Sequence, residues 1–269
     1  MNAVKNNISF LRDIVKNRQI IWTLSINDFK ARFASSYLGV VWAFVQPLAT
    51  MLIFWYVFQI GLRNAPINGV PFIVWFAPAY LVWTFFSDTV TMTTMCITEY
   101  SYLVKKVNFR VGTVPIMKLI SGSLVHIVFI AFIFILNVCY GYGVSVYNLQ
   151  VIYYFICTVV LLLGLGWLLS SISPFVRDVP SIVSVVLQII FWSTPIVWDP
   201  KIMNESVQRV LKLNPLFYIC QGYRDAFVEH VWFWQRGAIG LYFWCFTLVV
   251  LFLGAYTFKR LRPQFADVL

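Results

Sequence analysis

Residues 114–140 read VPIMKLISGSLVHIVFIAFIFILNVCY, and past Lys118 the stretch carries no formal charge. A helix needs roughly 20 apolar residues to cross the hydrocarbon core of a bilayer. This stretch is long enough to do so. Five others flank it: about Leu38–Leu62 and Phe72–Met95 before it, and Val151–Ser171, Ile182–Val197 and Ala238–Phe258 after it. The fifth in chain order, 182–197, is the shortest. Six such stretches occupy most of a 269-residue chain. The expected fold is therefore an all-α integral membrane protein with six transmembrane helices, in which residues 1–37 form an interfacial segment and 38–269 the membrane domain.

Composition agrees. The chain is 61% hydrophobic, 19% aromatic and 11% charged, against about 25% charged residues in a soluble domain. The net charge of +10 does not point to nucleic acid, because the charges sit between apolar stretches, where membrane topology calls for them. The five cysteines (Cys96, Cys139, Cys157, Cys220, Cys245) are scattered and form no ligand-spaced cluster.

Basic residues set the orientation, since they favour the cytoplasmic side. Fourteen of the twenty lie on one side: in the leader (Lys5, Arg12, Lys16, Arg18, Lys30, Arg32), in the second-to-third loop (Lys105, Lys106, Arg110, Lys118), at Arg177 and in the tail (Lys259, Arg260, Arg262). Both termini are expected to be cytoplasmic.

Three segments depart from a plain spanning pattern. In the leader, Trp22, Ile26, Phe29 and Phe33 recur at helical spacing while Asn27, Asp28, Lys30 and Arg32 fall on other faces. That pattern describes an amphipathic helix lying in the membrane interface. The second segment, about Glu99 to Asn108, carries Tyr102, Leu103, Lys105 and Lys106. It can form about two helical turns before Gly112 and Pro115 interrupt it, and its mixture of charge and apolar side chains reads as a docking surface. The third, Asp199–Gly237, is divided by Pro200 and Pro215 and alternates charge with apolar residues. It reads as two short helices dipping into, or lying on, the outer leaflet before the last span. Arg224 and Asp225 sit there, where mutual pairing would lower the cost of burial.

Inside the spans, Asp88 should face protein or a cavity, or else lie near a membrane surface, because a carboxylate at the bilayer centre costs about 2.5–3.5 kcal/mol on insertion scales. His126, alone on an apolar helix, reads as a hydrogen-bonded packing residue. Aromatic side chains crowd the first two spans: Trp42, Trp55, Tyr56 and Phe58, then Tyr80, Trp83 and Phe86. Aromatic faces stack on sugar rings and could line a path for a polar chain; packing and lipid contact are the competing reading. The chain has no GxxxxGK[ST] loop for nucleotide phosphates and no HExxH, GxSxG or glycosidase-type carboxylate pair, so a membrane enzyme is disfavoured. An ion-coupled flippase would need more buried ionisable groups than Asp88 and His126 supply.

The leader, YLGVVWAFVQPL (Tyr37–Leu48), the short basic segment after the second span, FVRD before the fifth, and LNPLFYICQGYRDAF (Leu213–Phe227) together resemble the permease subunits of ABC-2 type polysaccharide exporters. Two stretches, GLRNAPINGVPFIVW (Gly61–Trp75) and the tail QFADVL (Gln264–Leu269), are similar to the teichoic acid permeases within that group. The resemblance implies a homodimer in the bacterial plasma membrane, joined by two copies of a separate ATP-binding cassette subunit that holds ATP and magnesium. This chain would itself bind no cofactor and carry no catalytic residue. The implied cargo is a polyprenyl-diphosphate-linked polymer, wall teichoic acid first and O-antigen or capsular polysaccharide as the alternative. The docking helix maps to Glu99, Tyr102, Leu103, Lys105, Lys106 and Asn108. The interface helix maps to Trp22, Phe29, Lys30 and Arg32, and the outer re-entrant helices to about Glu205–Glu229. Lys30, Arg32 and Lys105 would meet the lipid diphosphate.

Overall fold

The computed structural model describes residues 18–34, 36–62, 66–67, 69–104 and 111–269. Helix dominates among them, with only one isolated bridge, Ile67 to Val70. Helix α1 (Arg18–Phe33) is followed by a single 3-10 turn and α2 (Trp42–Trp55), which runs on through a π-helical turn, Tyr56–Gly61. Next come α3 (Phe72–Glu99), the short α4 (Ser101–Val104), α5 (Val114–Cys139) and α6 (Gln150–Ile172). Then follow α7 (Val179–Ser193), α8 (Glu205–Leu211), α9 (Pro215–Arg224), α10 (Gly237–Leu261) and the final turn α11 (Phe265–Val268).

Among the described residues, five helical stretches are long and apolar enough to cross a membrane: Gly39–Gly61, Phe72–Glu99, Val111–Cys139, Val146–Ile172 and Phe233–Gln264. They match five of the six expected spans to within a few residues. The sixth, α7, has only 15 residues, which at 1.5 Å per residue is about 22 Å, short of the roughly 30 Å hydrocarbon core. It stops at Ser193 because Pro195 follows within two residues and Thr194 turns to extended geometry (φ −91°, ψ 132°).

Helix α3 is the hub. It packs on α2, α5, α6, α7 and α9, and 83% of its apolar stretch is buried. Its aromatic side chains form a ladder in which Phe58 stacks on Phe72, Phe72 on Phe76 and Phe76 on Tyr80, with centroid separations of 5.3, 5.1 and 5.0 Å. Helix α2 is the opposite case, with 6% of its apolar stretch buried. Its exposed Leu52, Ile53, Tyr56 and Ile60, like Ile182, Val186 and Ile189 of α7, are left to lipid or to another chain.

Among the described residues the most extensive helix pairing is that of α6 with α10. A Cβ on Gly164 would lie 2.9 Å from the Leu251 Cα, and one on Gly254 would overlap the Gly164 carbonyl. Small residues let the two backbones touch, which is how helices associate where lipid removes the hydrophobic advantage.

Candidate coupling face

The two ends of the bundle are chemically distinct. At one, here the terminal end, α1 and the C-terminal α11 meet the end of α3 and the start of α5. An apolar cluster of Cys96, Ile97, Val111, Val114, Met117, Phe258 and Phe265 lies beneath them, with Leu24, Tyr100, Trp167 and Leu269 packed around it. The Trp167 indole donates to the Gly112 carbonyl at 3.1 Å, fixing the turn that precedes α5.

Within this end lies an ionic cluster. Lys118 Nζ is 2.7 Å from Asp28 Oδ1 and 2.8 Å from Glu99 Oε2. The Tyr100 hydroxyl donates to the same Asp28 Oδ1 at 2.6 Å, and the Lys118 ammonium stands 5.1 Å from the centroid of the Tyr100 ring. Asp28 and Lys118 are buried, whereas the Glu99 side chain is 43% exposed. Burial and then the neighbouring Asp28 carboxylate push the Tyr100 hydroxyl well above its ordinary pKa, so it stays protonated and donates.

The face of α1 that turns into the protein is Ile21, Ser25 and Asp28. Trp22 is 53% exposed, and Phe29 and Phe33 pack edge-to-face on each other. The physical reason is Lys118. An ammonium at the base of α5 outweighs apolar burial because neither it nor Asp28 could be buried alone. Lys118, counted with the second-to-third loop for orientation, lies in the second turn of α5. Its sequence signal was a lone lysine three residues after Pro115, inside an otherwise apolar helix.

Of the expected docking residues, Glu99 ends α3 and Tyr102 is exposed on α4. Lys105, Lys106, Asn108 and the Leu103 side chain lie outside the described residues. Lys30 and Arg32 are exposed on the last turn of α1. Arg32 Nη1 reaches Met92 Sδ at 3.0 Å and lines a cavity of about 30 Å³ together with Asp88, Thr89 and His126. His126 behaves as a packing residue: Nε2 pairs with the Tyr223 hydroxyl at 2.7 Å and the ring stacks on Phe85 at 4.5 Å. Tyr80, Trp83 and Phe86 are buried within the single chain, while Trp42 and Tyr56 are exposed. Trp55 and Phe58 pack at the edge of the core.

At the opposite end, α9 is not a surface helix. Leu216 through Arg224 are buried without exception, whereas α8 buries nothing. Arg224 is fully buried. Its Nη1 donates to Pro195 O at 2.7 Å, its Nη2 to Ile196 O at 2.8 Å and its Nε to Trp75 O at 3.2 Å. The guanidinium lies 3.4 Å from the Trp75 ring centroid. The expected Arg224–Asp225 pair does not form. Asp225 instead binds Arg236 through both oxygens, with Nη2 to Oδ1 at 2.7 Å, and accepts from Gln221 at 3.1 Å. The cause is the break after α7: buried carbonyls that a helix no longer satisfies need donors, and a planar fork supplies several in fixed geometry.

These features define a multi-pass membrane protein built as one helical bundle with a polar clamp at each end. A profile of the ABC-2 type transporter family matches residues 19–228. The chain belongs to that family. Over 99% of its length it is 24% identical to an O-antigen export system permease protein of Klebsiella pneumoniae, covering 98% of that protein. It is also 25% identical, over 97% of its length, to a protein of the same description from Myxococcus xanthus, covering 99% of it.

Proposed function

We propose that this chain is the membrane subunit of an ATP-driven exporter of polyprenyl-diphosphate-linked polysaccharide in the bacterial plasma membrane. The observation that carries the reading is full-length similarity to permeases described as O-antigen exporters, joined to a bundle with membrane-length helices. The cargo suggested first is therefore an O-antigen type of lipid-linked glycan. Wall teichoic acid is the second reading, favoured by the two stretches at 61–75 and 264–269.

In this reading the terminal end is cytoplasmic, as the basic residues require. Residues 1–37 are the interfacial segment and 38–269 the membrane domain. Helix α7 makes a sixth crossing together with the turn that follows it, whose Pro195 and Ile196 carbonyls Arg224 covers, and α8 and α9 form the outer segment. Two copies of the chain meet along the exposed faces of α2 and α7. Two ATP-binding cassette subunits, which hold ATP and magnesium, engage α1 and the segment from Glu99 to Asn108. Lys30, Arg32 and Lys105 receive the diphosphate, and Trp42, Trp55, Tyr56, Phe58, Tyr80, Trp83 and Phe86 border the route of the glycan. This chain performs no bond chemistry.

The test is reconstitution of the co-expressed permease and ATP-binding subunit in vesicles. Lipid-linked O-antigen should stimulate ATP hydrolysis and appear on the far side of the membrane. Stimulation by lipid-linked teichoic acid alone would select the second cargo. ATP hydrolysis indifferent to every lipid-linked polymer would remove the reading.

A further inference from the structure

We propose that Lys118 is the joint that makes α1 and the α3–α4 corner move as one lever, and that it is a positioning residue for coupling ATP hydrolysis to transport. The inference rests on the reading that an ATP-binding subunit meets the terminal end.

The geometry carries it in three steps. First, the two elements expected to face that subunit are separate in sequence, and one ammonium touches a carboxylate of each, Asp28 at 2.7 Å and Glu99 at 2.8 Å. A lysine suits this role because its compact charge has three donors free to point at partners on different elements. Second, the joint is sheltered. Asp28 and Lys118 are buried beside an apolar cluster, where charges act more strongly on each other than in water. Tyr100 ties Asp28 to the end of α3 a second time, at 2.6 Å. Third, among the described residues α1 has few other anchors. It packs chiefly on α5, and its covalent path to α2 passes through Gly39, held at φ +54°, a conformation that favours glycine. Its Ile20, Trp22 and Lys30 side chains remain exposed. A push on α4 or on α1 therefore reaches the base of α5 through the same ammonium.

The experiment uses the permease co-purified with its ATP-binding subunit and reconstituted in vesicles, reading polymer exported per ATP hydrolysed. Lys118→Met should lower that ratio about tenfold, within the 5- to 150-fold range of typical coupling, and Lys118→Arg should recover most of it. Asp28→Asn and Glu99→Gln should each lower it partly. Their combination should cost no more than Lys118→Met, because residues acting through one joint are not additive. Glu99→Gln, at a half-exposed position, keeps the test open if the buried variants assemble poorly.

Spin labels at Trp22 and Tyr102, with exposed Cys139 and Cys245 replaced by serine, read the lever directly. Their separation should stay fixed between nucleotide-free and ATP-bound states in the native chain and broaden in Lys118→Met. A wild-type export ratio in Lys118→Met and Glu99→Gln would overturn the joint, as would a native separation that changes by several ångströms on ATP binding. A wild-type chain that assembles with no ATP-binding subunit would overturn the proposed function and the lever with it.

Discussion

Both ends of the bundle bury an ionic cluster, and they do so in opposite ways. At the far end Arg224 spends its guanidinium on the backbone carbonyls of Trp75, Pro195 and Ile196, while Asp225 is held by Arg236 and Gln221. At the terminal end Lys118 spends its charge on side chains, Asp28 and Glu99, from two other elements. A fork bonded to backbone fixes a fold. A point charge shared between carboxylates of two elements ties those elements to each other and lets them move together. The far end is built as a lock and the terminal end as a joint.

The contrast is broken most severely at Arg224. Arg224→Met should cost about 3–5 kcal/mol, because buried carbonyls lose their donors. In graded SDS unfolding of the purified protein, little folded chain should survive mild denaturant, and Arg224→Lys should rescue only part, since an ammonium cannot reproduce the fork. A variant as stable as the native chain would mean that the carbonyls find other donors. Asp225→Ala should cost less, about 2 kcal/mol, since the Arg236 side chain is already 26% exposed and can turn to water instead of staying buried and unpaired; the same titration checks it. Gly164→Ala sharpens the comparison from the middle of the bundle. Forcing a methyl against the Leu251 backbone should cost about 1–3 kcal/mol, visible as a lower melting temperature in detergent.

At the terminal end Asp28→Asn should lower stability by only about 1 kcal/mol, because Lys118 keeps Glu99 and the amide can still accept from Tyr100. Loss of stability equal to that of Arg224→Met would erase the distinction between lock and joint. The smallest effect belongs to Arg209→Ala. Its pair with Glu205, at 3.5 Å, leaves both side chains more than three-quarters exposed, so no change in melting temperature should be measurable.

The spanning helices were legible because hydrocarbon thickness dictates their length, and Val111–Cys139 or Phe72–Glu99 could hardly read otherwise. Helix α7 was harder. Apolarity continues past Ser193 through Pro195, Ile196 and Val197, and hydropathy does not say that the helix stops while the apolar chain goes on. Periodicity ranks apolar stripes, so it did not show which face of the leader turns into the protein. It is blind to a charge such as Asp28 whose partner, Lys118, lies 90 residues away. Arg224 and Asp225 were singled out as partly buried, whereas both are fully buried, and they were paired with each other by adjacency. Consecutive helical residues point in different directions, so each found its partner elsewhere: Arg224 in the broken backbone after α7, Asp225 in Arg236 at the start of α10.

The central claim is that the terminal end meets the ATP-binding subunit and the far end does not. Its most direct test places a photo-crosslinking amino acid at Tyr102 on α4, and separately at Val210 on α8, both exposed, in cells expressing both subunits. The account predicts an adduct with the ATP-binding subunit from position 102 and none from position 210. An adduct from 210, or none from 102 with the complex assembled, would contradict it.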